Sequence, residues 1–202
     1  MMLFDRECES CAGEGYPLCS SCTHRLRTGP TPAFTCLRGV EIRAAGVYDG
    51  VLRDLVLVLK RRRSRVVAHL LAEFVVDRLG ECALDADVVT WAPTSRKHVR
   101  ERGHDQARLI AASLSRLLGV QMGRSLVREG DHAQRGRSRR DRLDGPRFAA
   151  SPLVRGRRIL VIDDVVTTGA TLTSAHQCLI ARGASRVACV AVAATPEPTV
   201  IR

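Results

Sequence analysis

Two hydrophobic periods take turns along this chain. Residues 40–48 and 87–92 are short apolar runs, too brief for helices, and each reads as a strand. Between them Val51, Leu52, Leu55, Val56 and Leu59 recur at helical spacing, until the basic cluster Lys60, Arg61, Arg62, Arg63 and Arg65 breaks the pattern. A second amphipathic helix follows on Val66, Val67, Leu70, Leu71, Phe74, Val75 and Leu79. The strand at 87–92 runs into Pro93, and the next helix carries Ala107, Ile110, Leu114, Leu117 and Leu118 and closes at Gly119. Strand, helix and strand recur from Arg158 to Ala194, with Gly183 ending that helix. Strands alternating with helices predict an α/β fold with a doubly wound, mostly parallel sheet.

The most specific string lies at 159–171: Ile-Leu-Val-Ile-Asp-Asp-Val-Val-Thr-Thr-Gly-Ala-Thr. Its apolar start is too short and too β-branched for a helix, and so predicts a central strand of the sheet. Ligands bind at the C-terminal ends of such strands. Asp163 and Asp164 stand where carboxylates accept hydrogen bonds from vicinal ribose hydroxyls. Beyond Val165 and Val166, the turn Thr167, Thr168, Gly169, Ala170 and Thr171 offers backbone N–H groups and hydroxyls to a phosphate. The helix opened by that turn adds its positive N-terminal dipole. An ordinary strand-turn-helix with an Asp N-cap needs one acid, not two.

Two polar stretches extend this picture. Residues 93–106 also follow a strand: Thr94 and Ser95 are small enough to hold a pyrophosphate near the backbone, Arg96, Lys97, Arg100 and Arg102 neutralise its charge, and Gln106 ends the stretch. Residues 134–148 carry Arg135, Arg137, Arg139, Arg140 and Arg142 with little apolar content, and read as a mobile loop or an exposed helix. A solvated basic surface is the alternative reading of both.

Cysteine spacing adds a second kind of chemistry. Cys8-x2-Cys11, seven residues, then Cys19-x2-Cys22 can present four thiolates tetrahedrally to one zinc ion, with Gly13, Gly15 and Pro17 letting the loop fold back. Four thiolates close the coordination shell, so the zinc would be structural; a disulfide or redox pair and unligated cysteines are the competing readings. His24 and Cys36 are read as an exposed side chain and a small buried one, and Cys82, Cys178 and Cys189 as core. The Pro/Gly-rich residues 28–33 predict a boundary between a cysteine module at 1–33 and an α/β domain at 34–202.

Composition bounds the rest. With 202 residues and 45% hydrophobic content, the chain can bury one α/β core and a small appendage. The first residues have no apolar signal region and no stretch approaches membrane-spanning length, so the expectation is a cytoplasmic protein without membrane insertion. Net charge is +11, and Lys60 and Lys97 are the only lysines among 32 basic residues, so the charge is carried by arginine and favours polyanions. Aromatics are only 3%, so a single-stranded nucleic acid partner would be held through its backbone rather than by stacking.

The string at 159–171 resembles the phosphoribosyl pyrophosphate (PRPP) motif of type I phosphoribosyltransferases at every position. Together with the cysteine module, the Leu59-Lys60 element, Arg102-Gly103-x-x-Gln106 and the Gln134, Ser138, Arg142 segment, the chain resembles the ComF/GntX branch over nearly its whole length. His104 and Asp105 stand where that family has Phe and Asn. The resemblance implies a type I phosphoribosyltransferase fold with a small N-terminal zinc module of four cysteines. It also implies a site binding PRPP with Mg²⁺, in which Asp163 and Asp164 orient the ribose while the loop to Thr171 takes the 5-phosphate. Thr167 occupies the place where purine-salvage relatives carry an Asp that acts on the base, which argues against a hypoxanthine/guanine enzyme. The resemblance leaves the acceptor and oligomeric state unassigned. It admits a phosphoribosyltransferase, a non-catalytic PRPP-responsive protein or a nucleic-acid-binding protein linked to DNA uptake.

Overall fold

In the computed structural model, which describes residues 7–32, 35–80, 85–129 and 145–196, the chain opens with α1 (Ser20–Thr28), β1 (Thr35–Leu37), β2 (Val40–Val47), α2 (Gly50–Arg61) and α3 (Arg65–Leu79). It continues through β3 (Val88–Trp91), α4 (Arg96–Arg102), α5 (Gln106–Leu117), β4 (Gln121–Met122) and β5 (Leu126–Arg128). It closes with β6 (Phe148–Ala150), a single 3-10 turn at Pro152–Val154, β7 (Arg158–Val166), α6 (Ala170–Ala181) and β8 (Arg186–Ala194). Six strands form one sheet in the order β1-β2-β8-β7-β3-β4, while β5 and β6 pair separately. Only the β1–β2 pair of the six-stranded sheet is antiparallel.

The predicted central strand is central. β7 lies between β8 and β3, and Ile159, Leu160, Val161 and Ile162 are all 0–1% exposed, because helices cover both faces. On one face Leu55, Leu59, Leu71, Ile110 and Leu114 of α2, α3 and α5 pack against Leu160 and Ile162. On the other, Leu172, Ala175 and Leu179 of α6 pack against Ile159 and Val161. This is the doubly wound arrangement, and each fully buried aliphatic side chain contributes about 2 kcal/mol. Arg158 pins the start of β7: its guanidinium lies 2.7 Å from Asp87 and 2.5 Å from Asp85, and it holds the Asp87 carboxyl down at about 2. Among the described residues no helix is long and apolar enough to cross a membrane.

Departures from the sequence reading have local causes. α2 ends inside the basic cluster, at Arg61, and keeps Lys60 and Arg61 in its last turn, where cations suit the negative end of the helix dipole. α4 was not foreseen because none of its residues is buried; it exists through its caps, Ser95 accepting the His98 N–H at 3.3 Å and Gly103 in the left-handed region at φ 73°. On α5 the buried stripe is Ala107, Ile110, Ala111 and Leu114, whereas Leu117 is 40% exposed. β7 continues through both acids to Val166, so these lie within the strand rather than beyond it. Residues 134–144 of the arginine-rich segment, and Cys82, lie outside the described residues; Phe148 begins β6.

The cysteine module is packed into the domain core. Cys8, Cys22 and Leu26 belong to the same apolar cluster as Leu55 and Leu71. Polar ties flank that contact: Ser10 Oγ donates to Asp54 at 2.7 Å, and the Arg62 guanidinium grips both carboxylate oxygens of Glu9. Arg78 on α3 donates to the carbonyls of Arg27 (3.0 Å), Gly29 (2.6 Å) and Ala45 (3.2 Å) and to Thr31 Oγ1 (2.6 Å). One guanidinium thus joins α3, β2 and the segment that leaves α1. Arg78→Ala is expected to cost roughly 2–4 kcal/mol, and Arg78→Lys to recover less than half, because a single ammonium cannot span four acceptors. Urea unfolding midpoints check both.

Candidate functional site

The two acids stand next to each other in β7, Asp164 buried and Asp163 partly so. Asp164 is 7% exposed and lies against α2 and α5. Its Oδ2 accepts from Gln106 Nε2 at 3.1 Å and pairs with Lys60 Nζ at 3.2 Å, while Oδ1 accepts the Val165 N–H at 2.9 Å. The Lys60 ammonium also sits 5.6 Å from the centroid of the Tyr48 ring. Asp163 Oδ1 accepts the Asp164 N–H at 2.8 Å. Burial, and then the charge of Asp164, push the Asp163 carboxyl well above the usual carboxylate range.

The turn after β7 has the form the sequence predicts. Thr167 and Thr168 are exposed, and Gly169 at φ 77° is the N-cap residue of α6, a conformation that favours glycine. Neither acid caps the helix. The only side-chain help is a long 3.4 Å contact from the Ala170 N–H to Thr168 Oγ1, and the first turn contains no acidic residue. The positive end of α6 therefore faces the loop without a carboxylate of its own.

The basic stretch divides between two sides. Gln106, expected beside a pyrophosphate, is held against Asp164, and its buried Oε1 has no hydrogen-bond partner among the described residues. Ser95 is committed to capping α4, and Lys97 pairs with Glu101 at 3.9 Å. Thr94, Arg96 and Arg100 instead line a cavity of about 860 Å³ beside the C-terminal end of β3, walled by α4, α5, β4 and β5. Asp163, Asp164 and residues 167–171 do not line it. Asp105 stands at its edge, with Oδ2 accepting the Thr94 N–H at 3.1 Å and Oδ1 capping α5, and burial raises its carboxyl.

Three side chains at this centre were not assigned to it from the sequence. Lys60 was marked by the Leu59-Lys60 element but given no role, and its contact with Asp164 appears only when α2 is laid across the end of β7. Asp105 was visible as a substitution in the Arg102–Gln106 motif, but not as the group joining Thr94 to α5. His104, the other substitution, is 8% exposed, with Nδ1 2.8 Å from the Arg102 carbonyl and Nε2 2.5 Å from the Leu59 carbonyl. It fastens this loop to the end of α2, next to Lys60.

The four cysteine sulfurs lie within 4.8 Å of one another, with Cys11 Sγ and Cys19 Sγ 3.7 Å apart. Tetrahedral Zn–S bonds of about 2.3 Å require sulfurs about 3.8 Å apart, so Cys8, Cys11, Cys19 and Cys22 are placed to hold one metal ion such as zinc. Cys19 also caps α1, accepting the Cys22 N–H at 3.4 Å. His24 is exposed; Cys189 is buried and Cys178 partly so, as expected of core residues.

The phosphoribosyl transferase domain family matches residues 104–200, which include α5, β7 and the turn into α6. Competence protein F of Haemophilus influenzae is 27% identical, covering 89% of this chain and 86% of its own length. DNA utilization protein YhgH of Escherichia coli K12 is 27% identical across 84% of this chain and 87% of its own. Among solved structures, a glutamine PRPP amidotransferase from B. subtilis is 21% identical over 71% of this chain, with a TM-score of 0.44; the chain spans only 27% of that larger protein.

The raised Asp163 carboxyl has a measurable signature. Between the unfolded and folded values the native state keeps a proton that the unfolded state has lost, so wild-type stability falls as pH rises through that window. Asp163→Asn is therefore expected to raise the melting temperature at pH 8, with the gain shrinking toward pH 4. Calorimetric melts across pH 4–8 check this.

Proposed function

For a chain that belongs to the type I phosphoribosyltransferase superfamily, beside competence protein F, we propose a site that binds PRPP with Mg²⁺ and transfers its phosphoribosyl group to an unidentified acceptor. Asp163 and Asp164 hold the ribose hydroxyls, Thr167, Thr168, Gly169, Ala170 and Thr171 take the 5-phosphate, and Thr94, Ser95, Arg96, Lys97, Arg100 and Arg102 face the pyrophosphate. The observation that carries this reading is the pair of acids inside the central strand, ahead of a helix N-terminus that neither of them caps. A capping role would leave one acid unexplained and would put a carboxylate where a phosphate should sit.

The donor set fits a hard cation. Two neighbouring carboxylates, one of them held well above its usual range, are the oxygen ligands a divalent ion would ionise and bind, and Asp163 is the one to hold it. Bound Mg²⁺ supplies charge neutralisation to the pyrophosphate. In the transfer, the bond from C1′ to the pyrophosphate oxygen breaks and its electrons leave with pyrophosphate. The acceptor's lone pair forms the new bond to C1′, and the acceptor's proton is released. Lys60 and Gln106 fix the orientation of Asp164 and keep its charge balanced while cationic character builds on the ribose. The cysteine cluster holds a structural zinc.

A second reading is favoured by the net charge of +11 and by the DNA-related name of a relative: single-stranded nucleic acid held through its phosphates. Its affinity is then expected to fall steeply between about 50 and 200 mM salt in a fluorescence-anisotropy titration, and a flat response would remove it.

The first reading is checked by isothermal titration with PRPP and Mg²⁺ on protein of measured zinc content. Expected are one zinc and one PRPP site per chain, Mg²⁺-dependent binding, and at least a tenfold loss in Asp163→Asn. Wild-type affinity in that variant would place the pocket elsewhere. Pyrophosphate release across a panel of bases and amines separates transfer from binding without turnover.

A further inference from the structure

His104 is buried between two helix ends. Its Nε2 lies 2.5 Å from the carbonyl of Leu59, in the last turn of α2, and its Nδ1 lies 2.8 Å from the carbonyl of Arg102, the last residue of α4. Carbonyls at a helix end have no N–H of their own helix to accept. Among the described residues no backbone N–H takes either of these two. Both partners of the ring are therefore oxygens that only accept. A neutral imidazole donates from one nitrogen and carries a lone pair on the other, so it satisfies one carbonyl and repels the second. The imidazolium donates to both, and its charge suits the negative end of α2. The charged groups next to this contact are Lys60 and Arg61 on α2, Arg102 on α4, Asp105 before α5, and Asp163 and Asp164 of β7; none pairs with the ring, and the histidine ion pair among the described residues is that of His69 with Glu73.

We propose that His104 is a positioning residue: as the imidazolium it ties the end of α2 to the turn between α4 and α5, and so holds Lys60 and Gln106 together on Asp164. Lys60 follows Leu59 directly, and Gln106 lies two residues beyond His104. Their side chains meet Asp164 Oδ2 at 3.2 and 3.1 Å. Below the imidazole transition both carbonyls are bonded; above it one faces a lone pair and the tie loosens. Affinity for PRPP then falls with rising pH by this route. That effect rests on PRPP binding at the acids of β7, whereas the tie exists without ligand. Ionisation of Asp163 pulls the opposite way, since it favours Mg²⁺, and it is common to wild type and to any variant of His104.

The experiment compares the full chain with His104→Phe by nitrogen NMR from about pH 5 to pH 10, without ligand. The ring signals of His104 are those that the variant lacks. They are expected to show two protonated nitrogens at about pH 6, one of which loses its proton as pH rises. A bare ring nitrogen at that pH overturns the proposal. Lys60 and Lys97 are the only lysines, so in a Lys97→Arg background the remaining side-chain ammonium signal belongs to Lys60. It is expected to shift as the His104 ring deprotonates, by a step absent from His104→Phe. The same Lys60 titration in both proteins would mean that His104 positions nothing. Calorimetric titration with PRPP and Mg²⁺ follows at both ends of the ring transition. The ratio of wild-type to His104→Phe affinity is expected to fall roughly threefold or more from the acid end to the basic end. Parallel pH profiles in the two proteins overturn the link to the site. Silence of the wild type toward PRPP removes the phosphoribosyl reading instead, and the two ligand-free signals then decide the tie alone. Should circular dichroism show His104→Phe misfolded, His104→Gln, with a single amide to donate and no titration, takes its place.

Discussion

A nearly buried carboxylate at the end of the central strand governs much of this architecture. Asp164 is held between helices on one face of a parallel sheet, where an unpaired charge would cost several kcal/mol. Three donors meet it: the ammonium of Lys60 from α2, the amide of Gln106 from α5, and the backbone N–H of Val165. Each comes from a different element, so the crossing of α2 and α5 over the strand end is fixed by the chemistry of one side chain as well as by apolar packing. Its neighbour Asp163 receives no such cation and bears the electrostatic cost. The asymmetry separates a carboxylate paired with a lysine from one that faces no cation among the described residues.

The fold was legible where a residue's neighbours in sequence decide its fate. β7, its turn and α6 could be read in advance because burial, charge and glycine conformation all appear within one short stretch of consecutive residues. The cysteine cluster was legible for the same reason, spacing alone bringing the sulfurs into range. α4 was not, because it buries nothing and depends on caps. Lys60 was marked by the Leu59-Lys60 element, but its pairing with Asp164 was not legible, because that contact is a tertiary event. The arginine cleft could not have been anticipated either. It needs the two-residue edge strand β4 and the separate β5–β6 pair to bring Arg124 and Val127 opposite α4.

Arginine serves several purposes in this chain. Arg78 and Arg62 act as structural clamps, using planar donors to reach several acceptors at once. Arg158 sets the start of the central strand. Arg108 covers an indole, while Arg96 and Arg124 stay uncommitted. Arg96, Arg108 and Arg124, which form no ion pair among the described residues, line the cavity beside β3 and β4.

The last turn of α2 ties the cysteine module to the strand-end acids. Lys60 and Arg62 are two residues apart; the first reaches Asp164 and the second holds Glu9, beside Cys8. Such a turn behaves as a short rigid lever with a load at each end, and the neighbouring Leu59 carbonyl, bound by His104, is its fulcrum. The cysteine module and the Asp164 carboxylate are therefore anchored to one helix end, joined by a chain of contacts only a few residues long.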